Sequence, residues 1–164
     1  MSQLQIRLAT EADLPIINDI YNHYASNSTC TYQLEPEKIE DRVKWFNAHG
    51  PKHPVTVAEV EGKVLGWGSL SKFHQRAAYA NTVENSLYIH HEHRRQKIGS
   101  ALLADQIRRA REIGHHTILA IIDSDQAGSI ALHERFGFTR AAHLKQLGFK
   151  FNRWLDVVYM QLML

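Results

Sequence analysis

Between Thr117 and Ile122 the chain reads Thr-Ile-Leu-Ala-Ile-Ile, with nothing polar after the first residue. A strand with one wet face alternates polar and apolar residues, so an unbroken apolar run this short belongs to a strand covered on both faces. Helices must therefore lie above and below a sheet. The flanking sequence supplies them. Upstream, Leu103, Ile107 and Ala110 recur at helical spacing between Gly99 and Ile113, and Gly114 is a natural stop. Downstream, the pattern predicts a helix from about Ala127 to Phe136, stopping at Gly137.

The remaining stretches extend this layered order. Gln5 to Ala9 reads as a short strand. Thr10, followed by Glu11 and Asp13, caps a helix carrying Leu14, Ile17, Ile20 and Tyr21 on one face. After a loop from about Ser26 to Glu35, Pro36 and Glu37 mark the start of a second helix through Val43 and Phe46, ending near Gly50 and Pro51. Val55 to Val60 and Lys63 to Ser71 read as strands joined at Glu61-Gly62, where the glycine suits a tight hairpin turn. A longer strand is expected from Tyr79 to Ile89. Two more follow Gly137, broken near Gly148 and Asn152, the last running from Leu155 to Leu164. The pattern predicts one α/β domain (mixed α+β) over residues 1–164, a mixed sheet of about seven strands flanked by about four helices.

Charge narrows the partners. The chain has 19 basic and 17 acidic residues and a formal charge of +2, too weak a field to draw it onto nucleic acid or an anionic membrane. Any anion must be gripped locally. Cys30 is the only cysteine, which excludes an intrachain disulfide and a cysteine-based metal cluster and suits a reducing compartment. The segment Met1 to Arg7 lacks the apolar core of a secretory signal, and no apolar run approaches the roughly 20 residues that span a bilayer. A soluble, cytoplasmic protein is expected. His90, His91 and His93 cluster, but adjacent strand residues point to opposite faces and no His-Glu-x-x-His helix is present, so no metal is expected.

The segment Arg94-Arg95-Gln96-Lys97-Ile98-Gly99-Ser100 stands between a strand and the helix that follows it. The first turn of a helix has unpaired N–H groups and a positive dipole end, so a pyrophosphate can sit there, with Arg and Lys adding charge-assisted bonds. An ordinary solvated basic turn has the same composition. This stretch resembles the acetyl-CoA motif of the GNAT N-acetyltransferases: a Gln or Arg, two residues, Gly, one residue, then Gly or Ala. Arg94 stands first and Gly99 last, and Lys97 replaces the middle glycine. Gln126 to Phe138 resembles the second motif of that family, with Gln126 in the usual Asn place and His133 in the usual Tyr place. Ile20 to Tyr24, Thr82 to Ile89 and Gly148 to Val157 look like phosphinothricin acetyltransferases, and the last also looks like methionine sulfoximine and methionine sulfone acetyltransferases. Phe73 to Tyr79 matches the phosphinothricin subgroup. The resemblance covers essentially the whole chain.

What the resemblance implies is specific. Acetyl-CoA would be the co-substrate, bound by Leu87, Tyr88, Ile89, Arg94, Arg95, Gln96, Lys97, Ile98, Gly99, Ser100 and Gln126. In these folds the strand before the phosphate loop splays from its neighbour, and the backbone at Leu87 would hold the acetyl carbonyl. Glu84 would be the base that takes a proton from the acceptor ammonium. It stands in an otherwise apolar or small-residue strand, and the residues alone also allow an outward carboxylate paired with a base. His133 would return a proton to the departing thiolate. Tyr32, His74, Arg76, Tyr79 and Lys150 would form the pocket for a small amino acid or its analogue, with Tyr32 reaching across the interface of a homodimer. Cys30 is not placed to be a nucleophile. A peptide or protein N-terminal acetyltransferase and a non-catalytic acyl-CoA sensor are the competing readings.

Overall fold

The computed structural model describes residues 3–164, so the first two residues of the N-terminal segment considered above lie outside it. The strands are β1 (Gln5–Leu8), β2 (Val55–Val60), β3 (Lys63–Lys72), β4 (Thr82–Ile89), β5 (Thr117–Asp123), β6 (Thr139–Lys150) and β7 (Arg153–Met163). The helices are α1 (Leu14–Asn27), α2 (Ile39–Asn47), α3 (Ile98–Ile113) and α4 (Ala127–Arg135). The strands form one seven-stranded sheet in the order β1-β2-β3-β4-β5-β7-β6. Only the β4–β5 pair is parallel among the described residues. This is the mixed α/β architecture that the apolar run at Thr117 demanded.

Two apolar layers cover the sheet. On one face Leu103, Ile107 and Ala110 of α3 pack with Ile118 and Ala120 of β5 and Met160 of β7. On the other, Leu14, Ile17 and Ile20 of α1 pack with Val55, Val57 and Trp67. Glu61 and Gly62 both take positive φ, 50° and 78°, the backbone of a two-residue hairpin whose twist matches its strands.

Three expected boundaries move. The second helix begins at Ile39, not Pro36, because the backbone of Glu37 is already committed: its N–H donates to Asn22 Oδ1, and its carbonyl accepts from the side-chain amides of Asn18 and Asn22. Tyr79 falls in a 3-10 turn (Ala77–Tyr79), and β4 starts at Thr82. Thr10 and Asp13 form the expected capping box, but around a separate 3-10 turn (Glu11–Asp13) that leads into α1.

The sheet is not continuous across its middle. β4 and β5 pair only from Thr82↔Thr117 to Glu84↔Leu119. Above that rung, β4 stays paired to β3 as far as Gly66↔Ile89, and β5 to β7 as far as Asp123↔Val157. The two halves of the sheet part like an open V. Ile121, expected to be covered like its neighbours, is 36% exposed because it stands on the inner edge of that opening.

Candidate functional site

Two cavities meet at the V. The larger, about 580 Å³, runs from the inner edges of β4 and β5 to the N-termini of α3 and α4. The smaller, about 330 Å³, lies on the α1/α2 face of the sheet. Cys30, Ser86, Tyr88 and Ile121 line both. A ligand in one therefore reaches the other through the gap between the strands.

Backbone direction follows from one hydrogen bond. Tyr24 Oη donates to the carbonyl of Ile89 at 2.5 Å, while the N–H of the next residue, His90, bonds Leu65 in the opposite direction. Backbone groups alternate sides along a strand. The N–H groups of Leu87 and Ile89 consequently face the larger cavity, where β5 no longer supplies acceptors.

At the far end the chain turns sharply into α3. Arg95 and Lys97 both take left-handed backbone, φ 62° and 64°. Lys97 is the N-cap of α3, and no side chain caps that helix. The first amides of α3 therefore keep their hydrogens for a ligand, and the helix dipole favours an anion. A Cβ on Gly99 would stand only 3.4 Å from Leu132, within the cleft. The Arg94 guanidinium lies over the Tyr24 ring, 5.2 Å from its centre, and Nε donates to Tyr24 Oη at 3.2 Å. Each residue expected at the cofactor lines this cavity except Gln96, which faces a separate depression beside Leu4 and Val60. Tyr24, Ser129 and Arg135 also line it and were not anticipated; His93 lines it too, beside the phosphate turn where the histidine cluster was expected.

The smaller cavity is polar. Ser69, Ser71, Glu84 and Ser86 line its floor, and Thr29 to Tyr32 form one wall. Glu84 is half-buried, and burial alone holds its carboxyl above the ordinary range. Arg42, buried, sits among the rings of Tyr21 and Trp45, 4.5 and 4.6 Å from their centres, and pairs with Glu37. The alternation of Trp67, Ser69 and Ser71 in β3, opposite Tyr88, Ser86 and Glu84, was the available sign of this surface.

Other expected residues fall elsewhere. His133 is buried, and its ring is engaged on both sides: Nδ1 donates to the Ser129 carbonyl at 2.8 Å, and Nε2 accepts from the Asn85 amide at 3.1 Å. Burial lowers its pKa, so the imidazole is held neutral. Lys150 does not line the smaller cavity. Its ammonium donates to the carbonyls of Ser28 and Thr31 at 2.7 and 2.9 Å, tying down the wall loop. Tyr32 does line the cavity, with its hydroxyl on the Asp156 carbonyl at 3.3 Å and its pKa pushed up to about 12, mainly by burial. His74, Arg76 and Tyr79 are exposed and line neither cavity of this chain, although their segment begins just past Ser71. Cys30 stands on the shared wall, closer to the chemistry than its sequence position suggested; burial pushes its thiol up and keeps it protonated. The histidine cluster lies on a 3-10 turn (His91–His93), not a strand, so strand alternation does not separate it. Ligand atoms of His90, Glu92 and His93 lie within 4.8 Å of one another.

A sheet split at its parallel pair, with free amides along one inner edge and an uncapped helix at its mouth, defines a cleft for a long anionic thioester. The chain belongs to the acetyltransferase (GNAT) family, which residues 17–138 match. It is 40% identical to an L-methionine sulfoximine/L-methionine sulfone acetyltransferase of Pseudomonas paraeruginosa, over 96% of this chain and 92% of that one. A phosphinothricin acetyltransferase of Sinorhizobium meliloti, solved in complex with acetyl-CoA, superimposes with a TM-score of 0.95 at 36% identity, covering 98% of this chain and 88% of that one. A ribosomal-protein-alanine N-acetyltransferase of Brucella melitensis gives 0.95 at 40% identity, covering 98% and 99%.

Proposed function

We propose that this protein transfers acetyl from acetyl-CoA to the α-amine of a small amino acid or analogue, of the methionine sulfoximine, methionine sulfone or phosphinothricin type, by direct attack. The observation that carries the reading is the meeting of the two cavities at Ser86, Tyr88 and Ile121, with the Glu84 carboxylate on the acceptor side and the Leu87 N–H on the thioester side. In this reading the amides of Ile98 to Ser100, with Arg95 and Lys97, hold the pyrophosphate. Leu87 donates to the acetyl carbonyl and stabilises the charge that develops there. Glu84, poised by burial, takes the proton from the acceptor ammonium, directly or through water. The neutral, fully bonded His133 fits a positioning role behind Asn85 better than that of proton donor. Arg76, His74 and Tyr79 meet the acceptor at the open end beyond Ser71, while Lys150 acts on the acceptor through the wall loop.

Peptide N-terminal acetylation is the second reading, favoured by the name of the Brucella relative. A bowl of about 330 Å³ walled by residues 29–32 suits a single amino acid better than an extended peptide. We further propose one domain over residues 1–164, residence in the cytoplasm, and a homodimer. Among the described residues no helix is long and apolar enough to cross a membrane. β6 is an edge strand, and beside it Phe149, Phe151 and Trp154 are exposed, the last by 59%. Such a patch on a sheet edge calls for a partner.

Thiol release from acetyl-CoA tests the activity, with the three analogues, ordinary amino acids, polyamines and short peptides as acceptors. Saturable release with the analogues is expected. Release with peptides alone would keep the fold and co-substrate but replace the acceptor class, and tight acetyl-CoA binding without release would favour a sensor.

A further inference from the structure

Asp123 ends β5 on the same sheet face as Leu119 and Ile121, and it lines the acceptor cavity. It is only 4% exposed. One carboxylate oxygen accepts from the N–H of Asp125 at 3.1 Å; the other is buried, with no partner among the described residues. A buried carboxylate oxygen left without a donor is costly, and sites that tolerate it are commonly completed by a ligand. The same cavity holds the converse group. Trp67 Nε1 is a buried donor without an acceptor, and Trp67 also lines the wall.

The register places these two groups at one level. Trp67 pairs with Tyr88, four residues above Glu84, and Asp123 stands four residues above Leu119, the partner of Glu84. Both line the acceptor cavity about 13 Å above the base along the strands, Asp123 on β5 and Trp67 on β3, with the Tyr88 ring of β4 stacked on Trp67 between them. We propose that Asp123 is the specificity-determining residue for the far end of the acceptor: it selects small amino acids whose side chain ends in an N–H donor, with Trp67 taking an oxygen of the same head. The inference rests on the acceptor reading of this cavity.

The chemistry ranks the analogues. A sulfoximine head carries both an S=O oxygen and an S=N–H group, and satisfies Trp67 and Asp123 together. A sulfone of nearly the same shape offers only oxygens, leaving Asp123 opposite a lone pair. A phosphinate brings a negative charge toward a buried carboxylate and is the poorest fit. Sites built to hydrogen-bond a substrate discriminate strongly against an analogue lacking the group, because their own polar atom is then stranded.

The test is kcat/KM for L-methionine sulfoximine, L-methionine sulfone and phosphinothricin with the wild type and with Asp123→Asn. Asparagine keeps an oxygen for the Asp125 N–H and turns the other position into a donor. The wild type is expected to prefer sulfoximine over sulfone by about tenfold or more. In the variant that preference should collapse to within about threefold, and the relative rate on phosphinothricin should rise. Unchanged ratios in an active variant would overturn the role of Asp123 while leaving the acceptor reading intact. Transfer by the wild type to none of the three, with acetyl-CoA still bound, would overturn both. If the variant does not fold, the wild-type KM values decide: equal values for sulfoximine and sulfone overturn the proposal, and a lower one for sulfoximine supports it.

Discussion

The side-chain amide of Asn85 donates to Nε2 of His133 over 3.1 Å, and the same amide nitrogen donates to Gln106 Oε1 at 3.3 Å. The pair links the thioester strand to α4 behind the cleft. An imidazole so engaged has no hydrogen to offer a thiolate unless the Asn85 bond breaks. For His133→Phe we therefore expect kcat to fall less than about tenfold, with the basic limb of its pH profile unmoved, and stability to drop by about 1–3 kcal/mol as the bonds to the Asn85 amide and the Ser129 carbonyl are lost. Loss of the basic limb would restore His133 as the proton donor.

Glu84→Gln separates binding from chemistry. Turnover should fall by about a hundredfold or more while the Kd for acetyl-CoA stays near the wild-type value. In the wild type, kcat/KM should decline on the acid side with a midpoint above the ordinary 4.5 of a glutamate. Stability carries the opposite sign. Because burial raises the folded-state pKa, the protonated side chain costs nothing below the unfolded pKa, and stability is lost as pH rises through the folded one. Glutamine should accordingly raise Tm at pH 7 to 8 and leave it unchanged near pH 4.

Lys97 holds left-handed backbone at φ 64°, at the place where the acetyl-CoA motif that this segment resembles has its middle glycine. Lys97→Gly should relieve about 1 kcal/mol of backbone strain. The same change removes a cation from the cradle, so acetyl-CoA should bind more weakly at low salt and with a shallower salt dependence. Calorimetric Tm and Kd at two ionic strengths read both effects, and a variant that is destabilised would show that the turn relies on the lysine side chain.

Lys150→Met keeps the stem and deletes two charge-assisted bonds to the carbonyls of Ser28 and Thr31. Urea unfolding should show a loss on the order of 2–4 kcal/mol. With the wall loop released, KM for the acceptor should rise more than KM for acetyl-CoA. A raised acceptor KM at unchanged stability would instead indicate that the ammonium meets the substrate itself.

Phe149 and Trp154 pack edge to face with ring centres 5.0 Å apart on an exposed sheet edge. By sedimentation the wild type is expected to be a dimer and Trp154→Asp a monomer. A wild-type monomer at micromolar concentration would remove this face as an interface.

The fold was readable where physics is local: the apolar run at Thr117, the hairpin at Glu61-Gly62 and the glycine stop at Gly114 all depend on neighbours in sequence. Glu37 shows the limit. Its dipeptide with Pro36 is a sound helix start, but side chains from α1 claim its backbone. The turn into α3 was legible because one continuous segment builds it. The acceptor cavity was not, because Arg42, Trp67, Glu84 and Asp123 come from separate elements, and no spacing along the chain relates them. Lys150 shows a related limit: a sequence reveals that a cation is present, not that the Ser28 and Thr31 carbonyls will engage it.

The parting of β4 and β5 gives this sheet two inner rims resembling sheet edges, in the centre of the molecule where neighbouring chains cannot reach them. In the proposed mode an amide-bearing arm such as pantetheine, laid against Leu87 and Ile89, would do there what a missing strand would do. Occupancy and cohesion would then be one property: the sheet is stitched by its lower rungs and flanking halves, and a bound thioester would close the seam. The region that must loosen to release product is the region whose backbone the substrate completes.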